Sequence, residues 1–390
     1  MLTDPMAHVA VLAGTIAAIF WLAGRKPLGT LFKFLPPVIW CYFVPMLATT
    51  LGLLPAESAA YDWIRTYLLP ASLLLLMLSI DVKSVLRLGP VALGMVVAGT
   101  IGIILGGPIA YLVFGSFLPP DAWTGFAALS GSWIGGTANM VAIAASVGTP
   151  DSALGPIIVV DTVVGYGWMG VLLVFSGWQQ RFDQWSGART DALTETNRRL
   201  AALDERRHPV ALSDVAILLG LGLGGAVIAV ELGNAFDPLG DPVIISHATW
   251  AVLIVVTVGL ALSFTPVRRL EEVGASRFGY IALYLLMASI GAQADLHAVL
   301  QAPLYLAAGV VWIAVHVLVL MIAARLLRAP LFFIATGSMA NIGGAASAPV
   351  VAGVYHPAMA PVGLLMAVAG YVLGIYGGLA CAWLLARLAT

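Results

Sequence analysis

The chain has 390 residues, 61% of them hydrophobic and only 9% charged, with a formal net charge of −1. Soluble domains carry about 25% charged residues. With a mean hydropathy of +1.00, this composition excludes an ordinary soluble domain and leaves a polytopic integral membrane protein; the charges lie in short loops and form no basic groove for nucleic acid.

A transmembrane helix needs about 20 predominantly apolar residues. The first apolar run, 7–24, has no Lys or Arg before it, so a retained span is expected there rather than a cleaved signal peptide. Runs at 34–54, 64–81 and 88–115 follow as spans, Cys41 being a buried small hydrophobe, as is Cys381 further on. Segment 122–148 is ambiguous: it is apolar, but residues 130–139 read S-G-S-W-I-G-G-T-A-N, a poor helix centre with several polar groups. A span at 153–177 carries Asp161 deep within it. The hydrophilic stretch 178–211 holds six arginines and is expected to be a connector containing a short surface helix. Spans at 212–231, 245–264, 277–294 and 303–324 come next, then a second ambiguous segment, 331–355, and a last span at 359–386. Gly220-Leu221-Gly222-Leu223-Gly224-Gly225 fits the dinucleotide pattern G-x-G-x-x-G, but it opens an apolar span, where close helix packing is the expected role. No Ser/His/Asp, H-E-x-x-H or P-loop spacing occurs, so no enzyme is expected.

The two halves resemble each other. L-S-I-D-V-K-S-V-L at 78–86 matches A-Q-A-D-L-H-A-V-L at 292–300, I-G-G-T-A at 134–138 matches I-G-G-A-A at 342–346, and Gly165-Tyr166 matches Gly370-Tyr371. Three matches in one order point to an internal duplication. If both ambiguous segments crossed the membrane, the 18 lysines and arginines would divide 13 to 5 between the two faces; if both enter and leave on one side, they divide 16 to 2, with Arg65 and Arg387 alone opposite. The positive-inside rule prefers the second arrangement. That gives ten spans and two re-entrant hairpins in an all-α, 5+5 inverted repeat: residues 1–177 with hairpin 122–148, a cytoplasmic connector 178–211, and residues 212–390 with hairpin 331–355. About ten residues flank each polar centre, and ten helical residues reach roughly 15 Å, half the hydrocarbon core.

G-S-W-I-G-G-T-A-N-M in the first half and G-S-M-A-N-I-G-G-A-A-S-A-P in the second resemble the signatures of the YjcL-like membrane proteins, a family of unknown function grouped with the cation:proton antiporter and anion transporter superfamily. In layout the chain is similar to the sodium:glutamate and 2-hydroxycarboxylate symporters, which place Gly-Gly-x-Gly at two re-entrant tips; here the fourth position is Ala138 in one tip and Ala346 in the other. The resemblance implies an ion-coupled secondary transporter, a homodimer with scaffold and transport domains; a bacterial inner membrane is the expected location, with Na⁺ or H⁺ as coupling ion and no other cofactor.

Broken helices leave N–H groups and carbonyls free, suited respectively to an anion and to Na⁺. The expected solute contacts are Ser132, Trp133, Gly135, Gly136, Thr137 and Asn139 at the first tip, and Ser338, Asn341, Gly343, Gly344 and Ser347 at the second. Small-residue packing between ordinary helices is the competing explanation for the glycines. Asp161, with Thr162, Asn139 and Asn341, is the candidate ion-coupling set, and Asp161 the candidate Na⁺ ligand, because an ionisable group within a span is costly. A hydrogen-bonded structural role is the expectation for His316 and His247, and helix ending for Asp81 and Asp295. The reading is a transporter of a small anionic organic solute in contact with membrane lipid, with no nucleic-acid partner; the alternatives are a Na⁺/H⁺ antiporter without organic substrate and a non-transporting scaffold or receptor.

Overall fold

Each of the apolar segments forms helix in the computed structural model, which describes residues 4–25, 32, 37–188, 210–240, 245–293, 302–356 and 359–389. In chain order the helices are α1 (Pro5–Ala23), α2 (Pro37–Thr50), α3 (Ala59–Trp63), a π turn (Ile64–Leu68) running into α4 (Leu69–Leu78), α5 (Val82–Leu86), α6 (Pro90–Phe114), α7 (Ala122–Gly135), α8 (Thr137–Val147) and α9 (Asp151–Phe175). They continue with α10 (Gln179–Ser186), α11 (Leu212–Asn234), α12 (His247–Ser263), α13 (Ala275–Gln293), α14 (Ala302–Leu327), α15 (Leu331–Ile342), α16 (Gly344–Tyr355) and α17 (Ala360–Ala389).

Local chemistry explains several of the starts. Asp4 accepts from the Met6 amide at 3.1 Å with Pro5 in the first helical position, and Ser246 and Thr249 bond reciprocally before α12. Asp81 caps α5, accepting from the Ser84 amide and hydroxyl at 3.0 and 2.6 Å. It therefore opens a short helix, as well as following α4; Asp295 lies outside the described residues.

Seven helices among the described residues are long and apolar enough to cross a membrane: α1, α6, α9, α11, α13, α14 and α17. The other three expected spans are shorter or interrupted. α2 has 14 residues with Pro45 inside it, α12 has 17, and the π turn divides α3 from α4.

The chain divides into two compact units. The first comprises residues 1–79, 148–162 and 208–303. Within it α4 packs against α11, α12 and α13 through glycines: Gly222 lies on Leu75, Gly225 on Leu74, and Gly259 on Met77 and the Leu74 carbonyl. The G-x-G-x-x-G segment is thus a helix-packing surface, as its apolar setting implies. Gly291 of α13 lies directly on the Tyr42 backbone of α2, and Arg65 pairs with Asp151 at 2.7 Å. The second unit comprises residues 80–147, 163–207 and 304–390. Its core includes Met95, Leu172, Phe332, Phe333, Met339 and Met366. It contains both ambiguous segments.

Candidate functional site

The first ambiguous segment breaks at Gly136. Its φ of 80° and ψ of 178° lie where a side chain is disfavoured, so glycine supplies the turn. The helix then folds back. A Cβ on Gly131 of α7 would lie 2.7 Å from the Asn139 carbonyl oxygen and 3.0 Å from Ile143 Cγ1 of α8. In one continuous helix, positions 131 and 143 would stand about 18 Å apart. α7 and α8 therefore form a hairpin.

That hairpin is held by backbone contact with α17. A Cβ on Gly135 would meet the Gly370 carbonyl at 2.8 Å and Gly374 Cα at 2.9 Å, and one on Gly378 would meet Gly131 Cα at 3.4 Å. Glycines four apart on α7 thus face glycines four apart on α17, the geometry that small residues permit between membrane helices. Gly135 accordingly serves packing. Asn139 is fully buried and ties the break together: its Nδ2 donates to the Gly135 carbonyl at 2.7 Å and, more weakly, to that of Tyr371 at 3.4 Å. Its Oδ1 finds no donor among the described residues. Trp133 is fully buried, edge-on to Trp312, which stacks on Phe126. It fills the unit's interior. Ser132 is buried too, whereas Gly136, Thr137 and Ala138 at the turn are partly accessible.

The second segment follows the same plan. α15 ends at Ile342, the Gly343 amide donates to the Met339 carbonyl at 2.8 Å, and Gly344, with φ 61°, turns the chain into α16, which packs back on α15. Ser347 is buried beneath Gly343. Asn341 is fully buried; turned so that both ends of its amide are matched, it donates to the Gly337 and Val96 carbonyls at 3.0 and 3.3 Å and accepts from the Thr100 hydroxyl at 3.1 Å. Ser338 sits in a closed chain. Trp168 Nε1 donates to the Ser338 hydroxyl at 2.8 Å, Ser338 lies 2.9 Å from His316 Nε2, and His316 Nδ1 lies 3.0 Å from the Gly99 carbonyl. A carbonyl only accepts, so Nδ1 carries the proton and Nε2 accepts from Ser338, which leaves every group in the chain matched. Of the expected second-tip contacts, Ser338 and Asn341 are therefore committed inside the protein. Gly343 is the partly accessible one.

The two tips come together on one side chain that the sequence reading used only as a repeat marker. Tyr371 of α17 accepts from the Ala345 amide of α16 at 3.1 Å. A Cβ on Gly136 would lie 3.3 Å from the Cε1 of its ring, and one on Gly344 would lie 3.4 Å from its hydroxyl and 3.6 Å from the same Cε1. Near this point Gly370 packs on the Ile134 carbonyl of the first tip, and a Cβ on Gly165 would lie 3.5 Å from Ile342 Cγ2 of the second.

Asp161 and Thr162 fall in the first unit, on α9. Asp161 is half-buried, and the Thr162 hydroxyl donates to the Ile158 carbonyl at 2.8 Å, a bond internal to the helix. Among the described residues no group of three or more His, Cys, Asp and Glu side chains is placed to hold a metal ion. His247 bonds the Gly233 carbonyl at 3.3 Å, and His316 is accounted for by its chain of bonds, so both have the structural roles expected of them.

Residues 10–388 match a family described as "Protein of unknown function (DUF819)". The chain is also 25% identical over 341 residues to the "Uncharacterized membrane protein YjcL" of Bacillus subtilis (strain 168), covering 85% of each protein. Its apolar helices and this relative make it an integral, multi-pass membrane protein. The extent of the family match leaves no part of either hairpin outside it: the chain belongs to the DUF819 family.

Proposed function

We propose that the protein is an ion-coupled secondary transporter that carries a small anionic organic solute by alternating access, with the two hairpin tips as its binding centre. The observation that carries this reading is the convergence of Gly136 and Gly344 on Tyr371, each glycine opening a half-length helix, α8 or α16. The first turns of such helices present N–H groups and partial positive charge, which favour an anion. Irregular backbone at membrane depth is tolerated only where protein or a wet cavity surrounds it, so two such breaks in one unit are costly without a purpose. The contacts of Gly370 with Ile134 and of Gly165 with Ile342 support a duplication of inverted sense.

In this reading the hairpins are re-entrant, ten helical segments span the membrane, the 178–211 connector is cytoplasmic, the membrane is a bacterial inner membrane, and the protein works as a homodimer. Asp161 supplies the coupling charge for Na⁺ or H⁺. Gly136, Thr137, Gly343 and Gly344 are the solute contacts favoured by their accessibility or backbone geometry, with Asn139 Oδ1 as a further acceptor.

Reconstitution tests the proposal. Purified protein in liposomes is screened with labelled carboxylates and amino acids under imposed Na⁺ or pH gradients, and gradient-dependent accumulation of one of them is the expected result. Ion exchange without organic uptake would make the protein a Na⁺/H⁺ antiporter instead. Movement of neither ion nor solute by well-folded protein would favour a scaffold or receptor.

A further inference from the structure

We infer that Tyr371 is the residue that couples the two hairpin tips, so that the first turns of α8 and α16 gain and lose their binding geometry together; this rests on the transporter reading above. One residue makes three separate attachments, two through its side chain and one through its backbone carbonyl. Its hydroxyl takes the Ala345 N–H, one of the first-turn donors that α16 cannot satisfy internally. Its ring edge lies against both positive-φ glycines, Gly136 and Gly344. Its carbonyl accepts from Asn139, whose main contact is with Gly135 on the other side of the first break.

The chemistry gives this arrangement a direction. An anion arriving at the first turn of α16 competes with the tyrosine hydroxyl for the Ala345 N–H. Displacing the hydroxyl shifts the ring, and the ring is what faces Gly136 at the start of α8. A ligand at the second tip thereby alters the first. Phenylalanine at 371 would keep the ring against both glycines and lose the acceptor; alanine would lose both. Tyr371 is in this sense a positioning residue, acting on the backbone groups that would hold the solute.

Amide hydrogen exchange on the full chain in nanodiscs, resolved to single residues, tests the coupling in wild type, Tyr371→Phe and Tyr371→Ala. In Tyr371→Phe the Ala345 amide should exchange roughly fivefold faster, the effect of losing one ordinary hydrogen bond, while residues 137–140 stay at the wild-type rate. In Tyr371→Ala both tips should exchange faster. A residue that merely filled space would be fully replaced by Phe, so unchanged exchange at Ala345 in that variant overturns the proposal. So does acceleration confined to α16 in Tyr371→Ala. If the alanine variant does not fold, the split between the tips in Tyr371→Phe decides alone. The pattern needs no transport: with the split present and no exchange response to Na⁺ or to acetate, the transporter reading fails while the tip coupling stands.

Discussion

Ser338 is held by two neighbours at once, receiving a hydrogen bond from Trp168 and giving one to His316. Ser338→Ala removes both, leaving a partly buried donor on Trp168 and a fully buried acceptor on His316 unmatched. Hydrogen bonds between membrane helices average only about 0.6 kcal/mol, but an orphaned buried polar group costs about 1–3 kcal/mol. The larger figure should apply here, because His316 and Ser338 are fully buried and water is not at hand to replace the partner. Thermal unfolding in detergent should show a clear loss for Ser338→Ala, and a smaller additional loss when Trp168→Phe is combined with it than when Trp168→Phe is made alone. Additive losses would mean the two bonds are independent. Asp161 calls for the opposite pattern. Asp161→Asn keeps the shape of a half-buried side chain and removes its charge, so stability should hold while gradient-driven uptake falls to background. Unchanged uptake would remove Asp161 as the coupling group.

At the scale of elements, glycines on different helices have opposite roles, and sequence alone does not separate them. Gly374 of α17 faces the Gly135 backbone, and a Cβ there would sit 3.0 Å from Gly135 Cα. Gly374→Ala drives a methyl against the buried Asn139 amide and the Gly135 backbone and should cost about 1–3 kcal/mol. Gly220 of α11 has nothing within 4 Å of a built Cβ, so Gly220→Ala should be neutral or stabilising by up to about 1 kcal/mol through helix propensity. Paired melting curves check the contrast; equal effects would contradict the packing described. The breaks in both segments were legible, because Gly-Gly pairs and amides inside an apolar run conflict with a continuous helix. The partners of the polar groups were not. Asn139 and Asn341 read as free ligand groups, yet their amide nitrogens bind carbonyls near the breaks, that of Gly135 at the end of α7 and that of Gly337 one turn back on α15. Tyr371 was visible only as half of a repeated Gly-Tyr pair. An aromatic residue in a long apolar helix carries no signal that a turn more than 200 residues earlier will pack on it.

For the whole molecule, membrane orientation follows from charge, and it can be measured with the protein's own cysteines left in place. Cys41 and Cys381 are fully buried, so a membrane-impermeant maleimide should report only on introduced positions. In the re-entrant arrangement one face carries 16 of the 18 basic residues, and the positive-inside rule would put that face in the cytoplasm. Two models then differ at the base of the first hairpin. If α7 and α8 enter and leave on one side, Asp121→Cys and Ser152→Cys, both exposed positions flanking the hairpin, label from the external side of intact cells. If the segment crosses, one labels from outside and the other only after the membrane is opened. The folding back of α8 along α7, with Ile143 beside Gly131, returns the chain toward the end of α7 from which it came. A straight crossing would carry it about 16 Å further on over 11 residues. Labelling of both cysteines from outside is therefore the expected outcome, with a cysteine at Gly187, next to the arginine-rich connector, protected until permeabilisation. Opposite labelling of positions 121 and 152 would exclude re-entry, and with it the 5+5 inverted arrangement that the proposed alternating access requires.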